Sequence, residues 1–146
     1  VSRQFSTFYI NHQLYGIDVS VVQEITKPMP ITEVPLAPEW IKGLINLRGQ
    51  IATAIGLREL FHLQSAEDLK KGVNVVCKAD GILMALLVDE VGDVLEVTED
   101  LFESTPEVMD PVVKEFLEGV FKLPDHILSI IDTKKLIHYL NQPNKG

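Results

Sequence analysis

The sequence holds one cysteine, Cys77, so no disulfide can form within the chain, and a reducing compartment is the expected setting. Cys77 lies in the apolar run Val-Asn-Val-Val-Cys-Lys-Ala and reads as a buried strand thiol. Basic residues are also scarce: 13 Lys and Arg stand against 21 Asp and Glu, for a net charge of −8. The cations are scattered, which argues against a nucleic-acid backbone and against an anionic membrane surface as partner. No apolar run reaches the length of a bilayer span. No basic-then-apolar segment of the signal-peptide kind opens the chain. It begins on Val1 rather than Met, so flanking segments are expected beyond it.

Chemical signatures are missing as well. The four histidines, His12, His62, His126 and His138, stand far apart, with no i, i+4 pair and no second cysteine to complete a metal site. There is no nucleophile elbow, no glycine-rich phosphate loop and no H-E-x-x-H. Acidic pairs such as Asp89-Glu90 and Glu99-Asp100 read as solvated charges bordering strands. An enzyme would need a pocket gathering Asp125, His126 and a further acid. With no nucleophile–base constellation to name, the expectation is a non-catalytic protein with no cofactor and no metal.

What the chain does contain is a stretch of itself twice. Ile41 to Phe61 (IKGLINLRGQIATAIGLRELF) lies without a gap on Leu117 to Ile137 (LEGVFKLPDHILSIIDTKKLI). Gly43/Gly119, Leu47/Leu123, Ile51/Ile127, Ile55/Ile131 and Leu60/Leu136 are identical across the two copies. Upstream, Tyr15 to Ile25 can be laid on Met84 to Val94, pairing Val19/Val88, Val22/Val91 and Ile25/Val94. The offset differs between the two stretches, a difference that loops absorb at small entropic cost. Two similar units follow, approximately 1–64 and 65–146, within one domain over 1–146. Units of about half that length would be marginal alone, so a shared interface forming part of the core is expected, with exchange of strands between the units.

Short alternating runs around turn residues predict hairpins at Phe5–Val19, Leu44–Ile55 and Val73–Val88. Ala37–Gly43, with Pro38 and Glu39 at its start, predicts one helical turn ending at Gly43. Val19–Ile25 predicts a short helical turn or bent strand, and Val91–Val97 a bent strand or turn. Leu57–Leu63 and Thr133–Leu140 predict helices, Pro106–Phe116 a mainly helical insert, and Ser65–Gly72 a polar connection. Many short strands with few long helices mean small β-barrels with peripheral helices.

Two charged residues stand out. Arg48 lies at a predicted hairpin tip beside Gly49, and Glu24 follows Val21-Val22. A guanidinium can hold a carboxylate bidentately and keep donors free for a partner. An exposed pair adds little stability, so any such pair would be positional. On these residues alone, the reading stops at a two-barrel interaction module.

Tyr15-Gly16-Ile17-Asp18, Val22-Gln23-Glu24-Ile25, Val34-Pro35, Ala37-Pro38 and Ile41-Lys42-Gly43-Leu44-Ile45-Asn46-Leu47-Arg48-Gly49 resemble the CheW-type chemotaxis coupling domain, as does Leu87–Val94 with its V-D-x-V-x-D-V pattern. The resemblance covers Phe5 to Leu140. It implies a mainly β fold of two intertwined five-stranded SH3-like β-barrels with short peripheral helices. It implies a cytoplasmic, non-catalytic adaptor at receptor arrays, binding the chemotaxis histidine kinase regulatory domain and the chemoreceptor cytoplasmic tip. Carried over by motif, Val22, Gly43, Arg48, Val73, Val91 and Val94 would face the receptor, and Val19, Glu24 and Ile25 the kinase. Each valine has a core alternative, and Gly43 could simply hold a tight turn. The chain departs from the pattern at Thr53–Arg58, where Gly56 replaces the usual aspartate, and at Phe102–Phe116. These departures raise the question of a specialised paralogue. The competing readings are the same module cut from a longer signalling protein, such as a receiver fusion or a kinase's own regulatory domain, and an unrelated peptide-binding barrel.

Overall fold

Strands dominate the computed structural model, which describes residues 1–65 and 71–142. The polar connection expected over Ser65–Gly72 lies largely outside the described residues. In chain order the strands are β1 (Ser2–Ile10), β2 (Gln13–Asp18), β3 (Val22–Thr26), β4 (Ile41–Leu47), β5 (Gln50–Gly56), β6 (Val73–Ala79), β7 (Ile82–Val88), β8 (Glu90–Thr98), β9 (Phe102–Glu103), β10 (Leu117–Lys122) and β11 (Ile127–Ile131). The helices are α1 (Leu57–Leu60), α2 (Pro111–Lys114) and α3 (Thr133–Leu140). Three hairpins turn on two residues in the left-handed region: Asn11-His12 (φ 51° and 68°), Arg48-Gly49 (51° and 91°) and Asp80-Gly81 (49° and 77°). Two consecutive positive φ angles are what a tight hairpin needs to match the strands' twist.

The strands form two sheets, ordered β8-β1-β2-β11-β10-β9 and β3-β6-β7-β5-β4. The fold is mainly β, as the resemblance implied, with the two-residue β9 adding a sixth strand to the first sheet. The sheets are related by the internal repeat, and each borrows a hairpin from the other half. The β1–β2 hairpin sits among β8 to β11, while β6–β7 sits among β3 to β5. The pairings correspond one by one. The parallel pair β2–β11 matches β7–β5, and the pair β1–β8 matches β6–β3.

Irregularities repeat too. β4–β5 slips register between Ile41 and Gly43, and β10–β11 slips between Leu117 and Gly119. β3 carries an extra residue between Val22 and Glu24, and β8 carries one between Val91 and Val94. Even the bridge Thr32–Leu44 matches the β9 pairing Glu103–Val120.

Alternation along the strands explains the core. On β7, Leu83 and Ala85 face one cluster while Met84, Leu86 and Val88 face another. On β2, Leu14 faces one cluster while Tyr15 and Ile17 face another. Successive side chains of a strand point to opposite faces, so these strands are apolar on both sides. The result is a small core inside each sheet's curl and a larger one shared between the sheets. The shared core joins Phe8, Tyr15 and Leu117 of the first sheet to Ile55, Val75 and Met84 of the second, with Leu57, Leu60, Leu136 and Ile137 from the helices. Phe61–Phe116 (6.2 Å between ring centres) and Phe116–Tyr139 (5.0 Å) build its aromatic part. A fully buried phenylalanine contributes about 1.5–3 kcal/mol, and Phe8, Phe61 and Phe116 are fully buried there.

Several local expectations change. Ala37–Gly43 is not helical: a single turn at Glu39-Trp40, closed by the Ile41 N–H donating to the Pro38 carbonyl (3.0 Å), leads directly into β4, which holds Ile41 to Gly43. The helical part of Pro106–Phe116 shrinks to Pro111–Lys114, which Asp110 caps through the Val112 N–H (2.9 Å). Val19–Val21 forms one 3-10 turn before β3, and Val91–Val97 is a continuous, bulged strand. Thr133–Leu140 is helical throughout, started by Asp132, whose carboxylate accepts from the N–H groups of Lys134 and Lys135.

Candidate functional site

Glu24 and Arg48 meet. Arg48 Nη1 donates to Glu24 Oε1 at 3.3 Å, and a shorter bond joins Nη2 to Oε2. The bulge in β3 explains the aim, because an extra residue rotates the side chains that follow it. β3 and β4 are the two edge strands of their sheet, so this pair spans the edges where the sheet curls round. The Arg48 side chain is 71% exposed and the Glu24 side chain 25%. The hydrogen bond from Arg48 holds the Glu24 carboxyl below its usual range, and the same bond raises Arg48. Two of the five guanidinium N–H groups are used in this fork.

The other singled-out residues fall into two groups. Val19 lies in the 3-10 turn that enters β3 and is 36% exposed, and Ile25 is 44% exposed. Val22 and Val73 are half-buried and border the shared core. Gly43 is buried, and a side-chain carbon there would run into the Thr32 carbonyl and Ile31. It offers a partner no side chain, and its bareness lets the 31–32 segment bridge to β4. On the other sheet, Val91 is half-buried and Val94 is 59% exposed along β8. The repeat makes Val91 the counterpart of Val22 and Val94 the counterpart of Ile25. Ile51 and Ile127, also counterparts, are exposed at 58% and 44%.

A feature missed in the sequence is the network at Asp89. Arg58 donates from Nε and Nη2 to its two carboxylate oxygens, each at 2.7 Å, and the Asn11 N–H donates to Oδ2 at 2.7 Å. Asp89 is thus not the solvated border charge its sequence context suggested. Burial alone would raise its carboxyl, but the bonds from Arg58 and Asn11 outweigh this and lower it. Beside it, the nearly buried Glu59 accepts from Lys42 Nζ (3.1 Å) and Ser65 Oγ (2.6 Å). Glu59 fills the space that a side chain at Gly56 would need. Gly56 therefore supplies no side-chain cap to α1. The only sequence hint was the alignment of Arg58 with Lys134 in the repeat.

A cavity of about 790 Å³ lies over this network, reaching His12, Lys42, Arg58, Val73 and Asn74. Neither Asp125 nor His126 lines it, so the residues a catalytic reading would need are not gathered there. Among the described residues no group of three or more His, Cys, Asp or Glu is placed to hold a metal ion. No helix among them is long and apolar enough to cross a membrane.

The architecture has relatives. The family model for the CheW-like domain matches residues 4–141. The chain is 33% identical over 137 residues to the chemotaxis protein CheW of Klebsiella aerogenes, covering 94% of this chain and 82% of that protein. It is 31% identical to the chemotaxis protein CheW of Treponema pallidum, covering 91% and 81%. Among solved structures, the scaffolding protein TtCheW from Thermoanaerobacter tengcongensis superposes with a TM-score of 0.81 at 32% identity, covering 90% of each chain. Matched in family model, sequence and three-dimensional arrangement across nearly its whole length, the chain belongs to the CheW-like domain family.

Proposed function

We propose that the protein is a non-catalytic adaptor that couples transmembrane chemoreceptors to the chemotaxis histidine kinase, working in the cytoplasm at the receptor array. The observation that carries this reading is the Glu24–Arg48 fork. It positions a guanidinium that stays 71% exposed with donors to spare, on a barrel that also exposes Ile25 and Ile51. An exposed pair of this kind adds little to stability, whereas a positioned, exposed guanidinium is the kind of group enriched at recognition surfaces. Membership of the CheW-like family and the scaffolding and chemotaxis names of its relatives support the partners chosen.

In this reading the receptor's helical hairpin lies against Val22, Gly43, Arg48, Val73, Val91 and Val94, in a helix-in-groove mode. The kinase regulatory domain meets Val19, Glu24 and Ile25. The test is capture of this chain by two immobilised baits, a chemoreceptor cytoplasmic tip and the kinase regulatory domain. Binding to both, weakened at least tenfold for one of them by Arg48→Glu, is the expected result. A folded wild-type chain that binds neither bait would overturn the reading.

A further inference from the structure

We propose that Asp89 is a positioning residue that locks the angle between the two barrels, and so sets how the two partner-facing strands, β3 and β8, stand relative to one another. The inference rests on the adaptor reading for its consequence, though not for its geometry.

Among the described residues the chain passes directly between strands of different sheets at two places, from β2 to β3 and from β7 to β8. The partner-facing valines follow both passages: Val19 and Val22 after the first, Val91 and Val94 after the second. The two passages are built differently. At the first, the Asp18 carboxylate accepts from the Ser20 N–H (2.9 Å) and from Arg3 of β1 (3.5 Å). Arg3 in turn holds Glu118 of β10 (2.6 Å). The charged partners there all sit on the first sheet, so that carboxylate braces one barrel.

At the second passage Asp89 is the linking residue itself, and it is tied to both barrels. Its N–H donates to the Tyr9 carbonyl of β1 (3.0 Å), and its carboxylate accepts from the Asn11 N–H in the β1–β2 turn. The same carboxylate takes the guanidinium fork of Arg58, on α1, which follows β5 of the other sheet. Arg58 cannot swing freely, because its Nη1 also donates to the Gln64 carbonyl (2.9 Å) and its neighbours Leu57 and Leu60 are buried. Both side chains are only about a quarter exposed, at 24% and 27%. Bidentate charged bonds fix direction as well as distance, and a partly buried pair is screened less than a surface one. A shared apolar core is not directional in this way. It holds the barrels together, while Asp89 sets their angle.

Spin labels on cysteines introduced at Gln50 and Asp125, both exposed and one on each sheet's side, read the inter-barrel distance directly. Cys77 is buried and stays unlabelled. The wild-type background should give one narrow distance distribution. Asp89→Ala and Arg58→Ala should each broaden or shift it and weaken receptor-tip binding about tenfold, within the range seen when a positioning element is lost. The double variant should lose clearly less than the sum of the two single losses, because the Asp89–Arg58 fork is removed by both. A folded Asp89→Ala protein with the wild-type distribution overturns the proposal, and so does a broadened distribution with unchanged affinity. If Asp89→Ala fails to fold, Asp89→Asn, which keeps an acceptor for Asn11 but loses the charge, is judged by the same two readouts. A wild-type chain that binds no receptor tip sinks the adaptor reading alone, since the distances still decide whether Asp89 locks the angle.

Discussion

Arg48 holds a backbone φ of 51°, a left-handed conformation in which asparagine and glycine are far more at ease than arginine. At the first position of such a turn, Asn-Gly would be the favoured pair. The strained residue is retained beside Gly49 and aimed at Glu24, and strain of this kind gathers where a side chain is needed for something other than folding. Arg48→Asn should therefore leave the melting temperature unchanged or slightly higher while binding to the receptor tip falls several-fold. A thermal melt run beside a titration checks it, and a large drop in melting temperature would make Arg48 structural. Acid offers a second test at this scale. Asp18, Glu24, Glu59 and Asp89 all have lowered carboxyl values in the fold. The native state then binds fewer protons than the unfolded chain as the pH drops towards the unfolded carboxyl value of about 4. Their contribution is complete above that value and is lost as the pH falls through the lower, folded ones. Urea midpoints between about pH 6 and pH 3 should decline, and Asp89→Asn should flatten the decline. Glu24 and Arg48 were legible in the sequence as a carboxylate on a short apolar element and a guanidinium at a hairpin tip, two groups whose chemistry is complementary. Asp89 was not, since its partners Arg58 and Asn11 lie 31 and 78 residues away in the chain.

The two copies of the repeat end in helices that start differently. Asp132 caps α3, whereas Gly56 precedes α1 with no side-chain bond to offer. Asp132→Ala should cost about 1 kcal/mol, a fall of roughly 2–4 °C in melting temperature. Gly56→Asp should not yield the mirror-image gain, because Glu59 already occupies that space and is held by Lys42 and Ser65. Differential scanning calorimetry of both variants separates the outcomes, and a rise of similar size for Gly56→Asp would refute the account. Hairpins and α3 were readable from alternation and caps, which are local signals. The segment Ala37–Gly43 reads as helical in sequence because Pro38 and Glu39 are good helix starters, but it is one turn at Glu39-Trp40 running into β4. The strand pairing through Thr32 and Leu44 that overrides them is a contact between separate segments.

At the scale of the whole molecule, the exchange of hairpins means that neither half of the sequence corresponds to a barrel. A piece ending at residue 64 would carry β1 and β2 without the strands β8 and β11 that flank them. Each half expressed alone should be unfolded, and mixing the halves 1–64 and 65–146 should restore a native spectrum by circular dichroism. A half that folds alone would contradict the exchange as the source of stability. The repeat was visible in the sequence, but which hairpin joins which sheet was not, because both hairpins are apolar on both faces and fit either place. The same exchange also sets a timetable for synthesis. The sheet β3-β6-β7-β5-β4 has all its strands once residue 88 has left the ribosome, while the other must wait for β11 and residue 131. Chains grow at about 5–20 residues per second, so the β1–β2 hairpin spends seconds beside a finished barrel before its own strands arrive. On this timetable the barrel bearing Glu24 and Arg48 is expected to assemble first, with the second completed against it. Ribosome-held chains stalled just after β7 has emerged should already protect the Glu24–Arg48 barrel from proteolysis and leave the β1–β2 hairpin open to it.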